Sequence, residues 1–327
     1  MTRSIPIAIS LVLALSGCST WPSSPPSAST LRSSYLHGAI SSASSTAYQR
    51  WFSQLAAEKD IYAELDVTSS GEALASLSEG SVDFASTDAP LSSSQINQRL
   101  LAFPVTASAV AIAYNLPGCR LTLTLSQVAS ILEGTIANYR ELGCPSQPIT
   151  VMYRSGSSGI TGTLSGVLSA VNPEWRRRHG SSMQLTLNGA TAVKGSSALR
   201  DQLMAQKGSF SYLDSALVAA PLQAARIKNG AHSYSADPSQ AEQALAYLQL
   251  DDNLMGSLQK PPTGYPIVGL NWLLVRRDLD RTKSIALRDS LQWIYGRRGQ
   301  EDAELLGHVR LPDQIRQRGL QRVSALP

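Results

Sequence analysis

The sequence has little charge and few of the residues that carry covalent or metal chemistry. Asp, Glu, Lys and Arg make up 16% of its 327 residues, against roughly 25% in ordinary soluble domains. Its four histidines lie in no recognisable catalytic motif, and neither a G-x-S-x-G elbow nor a P-loop is present. The three cysteines lack metal-ligand spacing and are too few for a small disulfide scaffold. We therefore expect no enzyme, no bound metal and no cofactor.

Long apolar runs are missing outside the N-terminus, which excludes a protein with several membrane spans. The formal charge of +4 shows no basic stripe interleaved with aromatic residues, so we expect no nucleic-acid partner. What the chain does have is 43% apolar residues, enough for a sizeable core, and 47 serines. Its length suggests two domains, at about 150 residues each.

Residues 1–17 are typical of a signal peptide. Arg3 supplies the positive end, and Ile5–Leu15 is an apolar stretch too short to cross a bilayer as a helix. The Leu-Ser-Gly-Cys motif that follows resembles a bacterial lipobox, in which Cys18 is the lipidated first residue of the mature chain. The alternative is an ordinary signal with a chance cysteine. The segment 18–34 is rich in Ser and Pro, cannot build a core, and indicates a tether.

Two cysteines remain if Cys18 is lipidated. In an oxidising compartment, Cys119 and Cys144 are candidates for a disulfide. The alternative is two buried free thiols.

Strands and helices alternate along the rest of the chain, which predicts an α/β fold with mostly parallel sheets. Strands are predicted at 63–67, 82–85, 103–115, 149–153, 210–213 and 267–275. Helices are predicted at 45–59, 71–80, 92–100, 125–132, 161–170, 197–206, 241–248, 287–295 and 312–323.

Four loops crowded with Ser, Thr and Gly precede predicted helices, at 37–44, 68–71, 86–90 and 154–162. In open α/β sheets ligands bind at the carboxyl ends of strands, where helix N-termini offer free N–H groups. Hydroxyls add donors, and Arg154 adds a planar, permanently charged group. Each loop alone is explained by helix capping and tight turns. Four together indicate an anion site.

The order and spacing of several motifs resemble the periplasmic phosphate-binding proteins, the substrate-binding components of bacterial phosphate ABC importers. The similarity runs from about His37 to the C-terminus. Its motifs are Ser-Ser-Gly at 69–71, Val-Asp-Phe-Ala-Ser-Thr-Asp-Ala-Pro-Leu at 82–91, Phe-Pro at 103–104, Tyr-Asn-Leu-Pro-Gly at 114–118, the 154–159 loop, Pro-Glu-Trp at 173–175, Gly-Ser-Phe-Ser-Tyr at 208–212, Tyr-Pro-Ile at 265–267 and Leu-Pro-Asp at 311–313.

The resemblance implies a ligand site assembled from these loops. Ser42 and Ala43 fall where the family has a Thr-Phe pair, Ser69 on a hydroxyl ligand, and Asp88 on the carboxylate ligand. The arginine and helix N-terminal ligands correspond to Arg154, Ser158, Gly159 and Ile160.

Three positions depart from the family pattern. Ala43 replaces an aromatic residue, Gly156 stands where an acidic residue usually braces the arginine, and Ile160 replaces a Thr. A hydrogen bond to a charged group contributes about 1.5–3 kcal/mol, so losing one could weaken binding roughly tenfold to a hundredfold. Thr161 or Ser157 are candidates to compensate.

A carboxylate in an anion site repels the ligand unless the ligand carries a proton. Asp88 can accept a hydrogen bond from mono- or dihydrogen phosphate, whereas sulfate has no proton to donate at neutral pH. We interpret Asp88 as selecting a protonated oxyanion; the alternative is a residue that only caps or turns the following segment.

The resemblance further implies a two-lobed, type II-like periplasmic-binding-protein fold. We place lobe one at residues 35–107 plus 268–327 and lobe two at 108–267, with the ligand between them. The expected function is phosphate binding for an ABC importer by a monomer held by its lipid anchor in the periplasm or at the cell surface. Two alternatives are a binding protein for another tetrahedral oxyanion and a phosphate sensor without a transport role.

Overall fold

The computed structural model describes residues 35–88, 91, 96, 99–258 and 260–326. The predicted signal peptide at 1–17, the lipidation site Cys18 and the tether at 18–34 lie outside the described residues. None of the helices in the described ranges combines the length and the apolar character needed to cross a bilayer.

Strands and helices alternate through most of the described chain. The strands are β1 (Tyr35–Ser41), β2 (Tyr62–Thr68), β3 (Phe84–Thr87), β4 (Leu100–Tyr114), β5 (Thr122–Leu123), β6 (Thr150–Ser155), β7 (Thr191–Lys194), β8 (Ser209–Asp214), β9 (Gln223–Ala224), β10 (Arg226–Asn229), β11 (His232–Tyr234) and β12 (Val268–Arg276). The α-helices are α1 (Ser45–Lys59), α2 (Ser70–Glu79), α3 (Leu125–Leu132), α4 (Gly159–Val171), α5 (Pro173–Arg178), α6 (Ser196–Ala205), α7 (Pro238–Leu245), α8 (Arg281–Tyr295), α9 (Arg297–Leu305) and α10 (Asp313–Val323).

One large sheet has the strand order β2-β1-β3-β12-β4-β8-β6-β7, with β9 paired to β4, and a small sheet has the order β11-β10-β5. The flanks of the large sheet are parallel, since β1 pairs with β2 and β3, and β6 with β7 and β8. Its centre is antiparallel around β4 and β12. The predicted α/β class is confirmed, but the expectation of mostly parallel sheets is wrong at the centre, because β12 returns in the direction opposite to β4.

Strand β4 belongs to both halves of the large sheet. Its residues 100–109 pair with β12, and its residues 110–114 pair with β8. All 15 residues of β4 are buried, as the unbroken apolar run predicts for a strand covered on both faces. The chain passes back at the same point, where the Val110 N–H donates to the Ile267 carbonyl at 2.8 Å. We call the half with β1–β3 and β12 the first lobe and the half with β6–β8 the second lobe.

The periodicity predicts six of the twelve described strands and eight of the ten α-helices, most of them to within about three residues, and α8 begins six residues earlier than predicted. The elements that it misses are β1, β5, β7, β9, β10, β11, α5 and α9. Residues 37–41 form most of β1, not a loop, because β1 lies between two parallel partners. Strand β3 begins at Phe84, two residues later than predicted, because the Asp83 N–H and carboxylate are engaged by His37 and Lys283. The predicted helix 92–100 lies largely outside the described residues, and Leu100 already belongs to β4.

Cys119 and Cys144 form a disulfide whose Cα atoms are 5.6 Å apart. The bond closes the segment that carries β5, α3 and a 3-10 turn at Tyr139–Leu142. Its first end is also fixed by Tyr114, whose hydroxyl donates to the Cys119 carbonyl at 3.0 Å.

A buried polar chain lies where the two lobes meet. His308 is fully buried, with Nδ1 3.1 Å from the Ser108 hydroxyl of β4 and Nε2 3.1 Å from the Thr46 hydroxyl of α1. Asp214, at the end of β8, is also fully buried and accepts from the Ala216 N–H at 2.9 Å. Burial lowers the pKa of His308 to about 4. Burial raises the pKa of Asp214 to about 6, opposed by the Ser108 hydroxyl.

These two shifts act on stability in opposite directions as the pH falls from 7 to 4. As the pH falls, His308 binds a proton more readily in the unfolded chain than in the folded protein. Its titration therefore lowers the free energy of unfolding. The folded protein takes up a proton on Asp214 before the unfolded chain does, so Asp214 raises stability. Each effect is on the order of 2–3 kcal/mol. We predict that His308→Gln makes unfolding free energy rise relative to the parent on acidification, and that Asp214→Asn makes it fall.

Chemical denaturation at pH 4.5 and pH 7.5 measures both variants against the parent. Other carboxylates titrate in all three proteins, so their contribution to the pH dependence cancels when each variant is compared with the parent. Equal pH dependence in all three proteins would contradict the prediction.

Candidate functional site

Four helices begin where the two lobes face each other, because each follows a parallel strand of its own lobe. Strand β4 runs from the first lobe into the second and β8 and β6 run back, so the carboxyl ends of β1 and β2 face those of β6 and β7. Helices α1 and α2 follow β1 and β2, and helices α4 and α6 follow β6 and β7. Within each lobe the carboxyl ends of parallel strands lie at the same edge, and a helix N-terminus there presents free N–H groups and a positive dipole end. Two N-termini from each lobe therefore surround the same space, which favours a negatively charged occupant.

The Asp88 carboxylate, directly after β3, is the most extensively bonded group of this space. It is 4% exposed. Its Oδ2 accepts from the hydroxyls of Ser41 and of Ser70, the latter at 3.4 Å, and its Oδ1 accepts from the Asn271 amide at 2.8 Å. Tyr48 fixes that amide by donating to its Oδ1 at 2.9 Å. Burial raises the pKa of Asp88, and the bonds from Ser41 and Asn271 oppose the rise.

The Arg154 guanidinium faces this space from the second lobe, at the end of β6. It is 5% exposed. Its Nη1 donates to the Ser196 hydroxyl at the start of α6 and to the Ser42 hydroxyl of the first lobe at 3.4 Å. Its Nε has no hydrogen-bond partner among the described residues. Burial lowers its pKa, and Tyr212 and Asp88 oppose the change; an arginine keeps its charge under such a shift.

Ser69 and Ala43 take part in local structure beside this space. Ser69 caps α2, since its hydroxyl accepts from the Glu72 N–H at 3.2 Å while the Glu72 carboxylate accepts from the Ser69 N–H at 3.1 Å. This is a capping box, and it occupies one lone pair of the Ser69 hydroxyl. Ala43 is buried, and its N–H donates to the Ser41 hydroxyl at 3.3 Å.

Ser158, Gly159 and Ile160 form the N-terminus of α4. Ser158 is buried, precedes the helix, and donates its N–H to the Met183 carbonyl at 2.8 Å. The Ile160 side chain is buried in the hydrophobic core. Gly159 and Ile160 can therefore contribute N–H groups to a ligand, but no side-chain donor.

The nearest hydroxyl, that of Thr161, does not replace the donor that is lost at Ile160. Thr161 is fully buried, and its hydroxyl lies 2.9 Å from the Tyr212 hydroxyl. Gly156 has a left-handed φ of 80° and lines the cleft without a side chain. The other candidate, Ser157, packs against Gly71 of the opposite lobe.

A cleft of about 1010 Å³ opens from this space to the surface between the lobes. Ser42, Ser69 and Arg154 line it together. Asp88, Ser158 and Gly159 lie deeper, where the lobes touch. Three of the predicted residues therefore line the cleft from both lobes, three are buried beside it, and Ala43 and the Ile160 side chain belong to the hydrophobic core.

Sequence reasoning missed four residues that complete the site, namely Ser41, Ser70, Ser196 and Asn271. Asn271 had a visible signal, because it is a single amide inside the apolar strand β12 and buried amides require partners. Ser70 had none, because its hydroxyl and that of Ser69 are adjacent in sequence and only the helix geometry decides which one faces Asp88. Within the described residues, no group of three His, Cys, Asp or Glu is placed to hold a metal ion.

Two glycines allow the lobes to approach closely at the site. A Cβ added to Gly159 would lie 2.5 Å from the Asp88 Cβ and 2.7 Å from its Cα. A Cβ added to Gly71 would lie 2.6 Å from the Ser157 Cβ. Real Cβ atoms do not approach so closely, so each glycine is required for this closed arrangement.

A family model described as a PBP superfamily domain matches residues 25–287. The phosphate-binding protein PstS of Xylella fastidiosa (strain 9a5c) is 28% identical over 315 residues, which cover 89% of this chain and 85% of that protein. The protein of the same name from Haemophilus influenzae is 23% identical over 290 residues, covering 82% and 86%.

Solved structures show the same fold at low sequence identity. PfluDING, a periplasmic phosphate-binding protein solved with phosphate bound, has a TM-score of 0.73 at 20% identity and covers 88% of this chain and 93% of its own. The phosphate-binding protein of Stenotrophomonas maltophilia has a TM-score of 0.71 at 19% identity with the same coverage. The expected two-lobed fold is confirmed.

We predict that Gly159→Ala weakens binding of a tetrahedral anion by holding the lobes apart. Overpacking of this kind costs roughly 1–3 kcal/mol, which corresponds to about a tenfold loss of affinity or more. Calorimetric titration with orthophosphate, together with the radius of gyration from X-ray scattering in its presence, measures both effects.

Gly166→Ala on the same helix is the matched control, because its Cβ would meet only the Ser181 hydroxyl, at 3.3 Å. Both substitutions replace Gly by Ala within one helix; the interior position 166 gains about 1 kcal/mol of helix propensity, so the comparison is made on ligand binding and compaction rather than on stability. If Gly159→Ala binds and compacts like this control, closure does not depend on the contact with Asp88.

Proposed function

The chain belongs to the PBP superfamily, and from that premise we propose that it binds inorganic phosphate outside the cytoplasmic membrane and delivers it to an ABC importer. One observation carries the proposal. The buried Arg154 guanidinium lines the cleft from the second lobe and reaches Ser42 of the first, and it interacts electrostatically with the buried Asp88 carboxylate of the first lobe.

Both groups suit hydrogen phosphate better than a fully deprotonated anion. The guanidinium and the helix N-termini would hold three oxygens through charge-assisted hydrogen bonds. The fourth oxygen carries a proton and would donate a hydrogen bond to Asp88. The Oδ1 of Asp88 accepts one hydrogen bond, from Asn271, and keeps a lone pair for this purpose. The names of the PstS relatives and the phosphate bound in PfluDING support this choice of ligand.

Binding and closure would be coupled, because the ligand contacts both lobes only when they are closed. We propose that lobe one comprises residues 35–107 and 268–327 and lobe two residues 108–267. The change of partner within β4, from β12 to β8, supports this division. Subunits of the membrane permease would bind the closed form. The name of one structural neighbour, an ABC-type phosphate transport receptor, supports a role in transport.

The proposal includes export and anchoring. Residues 1–17 would direct the chain out of the cytoplasm, and Cys18 would carry the lipid that holds a monomer at the membrane. Acyl chains on Cys18 and the Ser- and Pro-rich tether at 18–34 would let the domain reach the permease while staying near the membrane. In this setting the protein is a carrier and not an enzyme.

Calorimetric titration of the purified protein, freed of carried-over solute, tests the function. We expect saturable heat with orthophosphate and a smaller radius of gyration. Arg154→Lys keeps the charge but loses the planar pair of donors, which should weaken binding roughly ten- to a hundredfold. Arg200→Lys on the exposed surface of α6 is the matched control. Absence of both heat and compaction in the parent would refute phosphate binding.

Asp88→Asn should lower the preference for phosphate over sulfate by at least tenfold. The amide offers sulfate a donor and removes the negative charge that repels it. Competition calorimetry with both anions measures the ratio of the two affinities. Asp66→Asn is the control, because it removes the same charge from the surface of the first lobe. If both variants have the same ratio of phosphate to sulfate affinity, Asp88 does not select the anion.

A further inference from the structure

The cleft is far larger than the anion that its inner end would hold. A tetrahedral oxyanion has five non-hydrogen atoms and needs about 150 Å³ if each takes the room of a water molecule in the liquid. The cleft has about 1010 Å³ even though the lobes touch at Asp88 and Gly159. Volumes of roughly 300–1,000 Å³ are typical of sites for ligands of many more atoms.

Apolar side chains from both lobes contribute to the cleft lining, beside polar and charged ones. Val67, Leu74 and Ala75 line the outer cleft from the first lobe, and Met183 lines it from the second. Val67 is 47% exposed, unusual for a β-branched apolar residue in a strand of this fold. Exposed apolar side chains that face each other across a cleft favour an organic group between them.

Gly156 leaves the path between the two parts open. It lines the cleft next to Arg154, and a Cβ added there would have no described atom within 4 Å. The resemblance places an acidic side chain at this position. Its absence here leaves free volume between the guanidinium and the apolar walls.

Arg154 connects the two parts chemically. The side chain is 95% buried, lines the cleft, and its Nε has no hydrogen-bond partner among the described residues. An unpaired donor on a buried cation calls for a ligand oxygen. We propose that the site accepts phosphate monoesters and phosphonates, R–O–PO₃ and R–PO₃, with the phosphorus group at Asp88 and Arg154 and a short apolar substituent R in the outer cleft. This rests on the proposed function, since the same inner site binds the phosphate group.

Charges at the cleft limit what R can be. Glu72 lines the cleft from α2, and hydrogen bonds from Thr68 and Ser69 lower its pKa to about 2, so it is ionised at every physiological pH. Lys194 faces it from the end of β7. The opposite charges of Glu72 and Lys194 offset each other, so this part of the cleft offers no net attraction to a charged substituent. An uncharged alkyl group contacts Val67, Leu74 and Met183.

Calorimetry with orthophosphate, ethylphosphonate and n-butylphosphonate tests the inference, because phosphonates keep the three oxygens and cannot be hydrolysed. We expect both phosphonates to bind within about tenfold of orthophosphate, n-butylphosphonate at least as tightly as ethylphosphonate, and orthophosphate to displace them. Apolar contacts of the added CH₂ groups account for the order.

Ala75→Trp fills the outer cleft from an exposed position of α2. It should weaken n-butylphosphonate at least tenfold and change orthophosphate affinity less than threefold. Ser78→Trp, one turn further along α2 and outside the cleft lining, should change neither. Circular dichroism establishes that both variants are folded.

The outcomes separate the two proposals. If orthophosphate binds and both phosphonates bind more than a hundredfold more weakly, the inference about R is wrong and phosphate binding stands. If none of the three binds, the proposed function fails with it. If Ala75→Trp weakens all ligands equally, the outer cleft does not hold R.

Discussion

The burial of one carboxylate and one guanidinium opposite each other is the constraint on which the site depends. Removing such charges from water costs several kcal/mol each unless hydrogen bonds replace the solvent. Asp88 is compensated within its own lobe by two hydroxyls and an amide. Arg154 is compensated only in part, because its Nε is left unpaired among the described residues. Both groups therefore keep hydrogen-bonding capacity for an anion that lies between them, a lone pair on Asp88 Oδ1 and the Nε–H of Arg154.

The backbone supplies most of the positive potential of the anion site, which suits a chain with few charged side chains. The N-termini of α1, α2, α4 and α6 supply positive potential without cationic side chains, and serine hydroxyls supply donors of low volume. Gly71 and Gly159 then allow the two lobes to approach to backbone distance. The helix N-termini, the serines of the site and the two glycines thus serve one requirement, which is to bring the donors of both lobes around a small anion.

The sequence predicted the elements that repeat locally and the loops that follow them, but not the pairing between distant segments. Helix α1 was predicted at its observed limits because its apolar residues recur on one face. Strand β1 was missed because its pairing with β2 and β3 is nonlocal. The same limit applies to the site: Asp88 and Arg154 could be named from their motifs, whereas the choice of Ser70 over Ser69 and the approach of Asn271 depend on tertiary geometry.

The junction between the lobes carries a second buried pair, and its chemistry differs from that of the ligand site. His308 and Asp214 are both shifted toward their neutral forms, one below and one above its ordinary pKa. Over the interval between about pH 4 and pH 6 the folded junction therefore stays uncharged while the unfolded chain would carry a cation and an anion. Proton uptake by the one group offsets proton release by the other in the folding equilibrium. The junction therefore carries no net charge in this interval, whereas burial raises the pKa of Asp88 in the ligand site against the hydrogen bonds from Ser41 and Asn271.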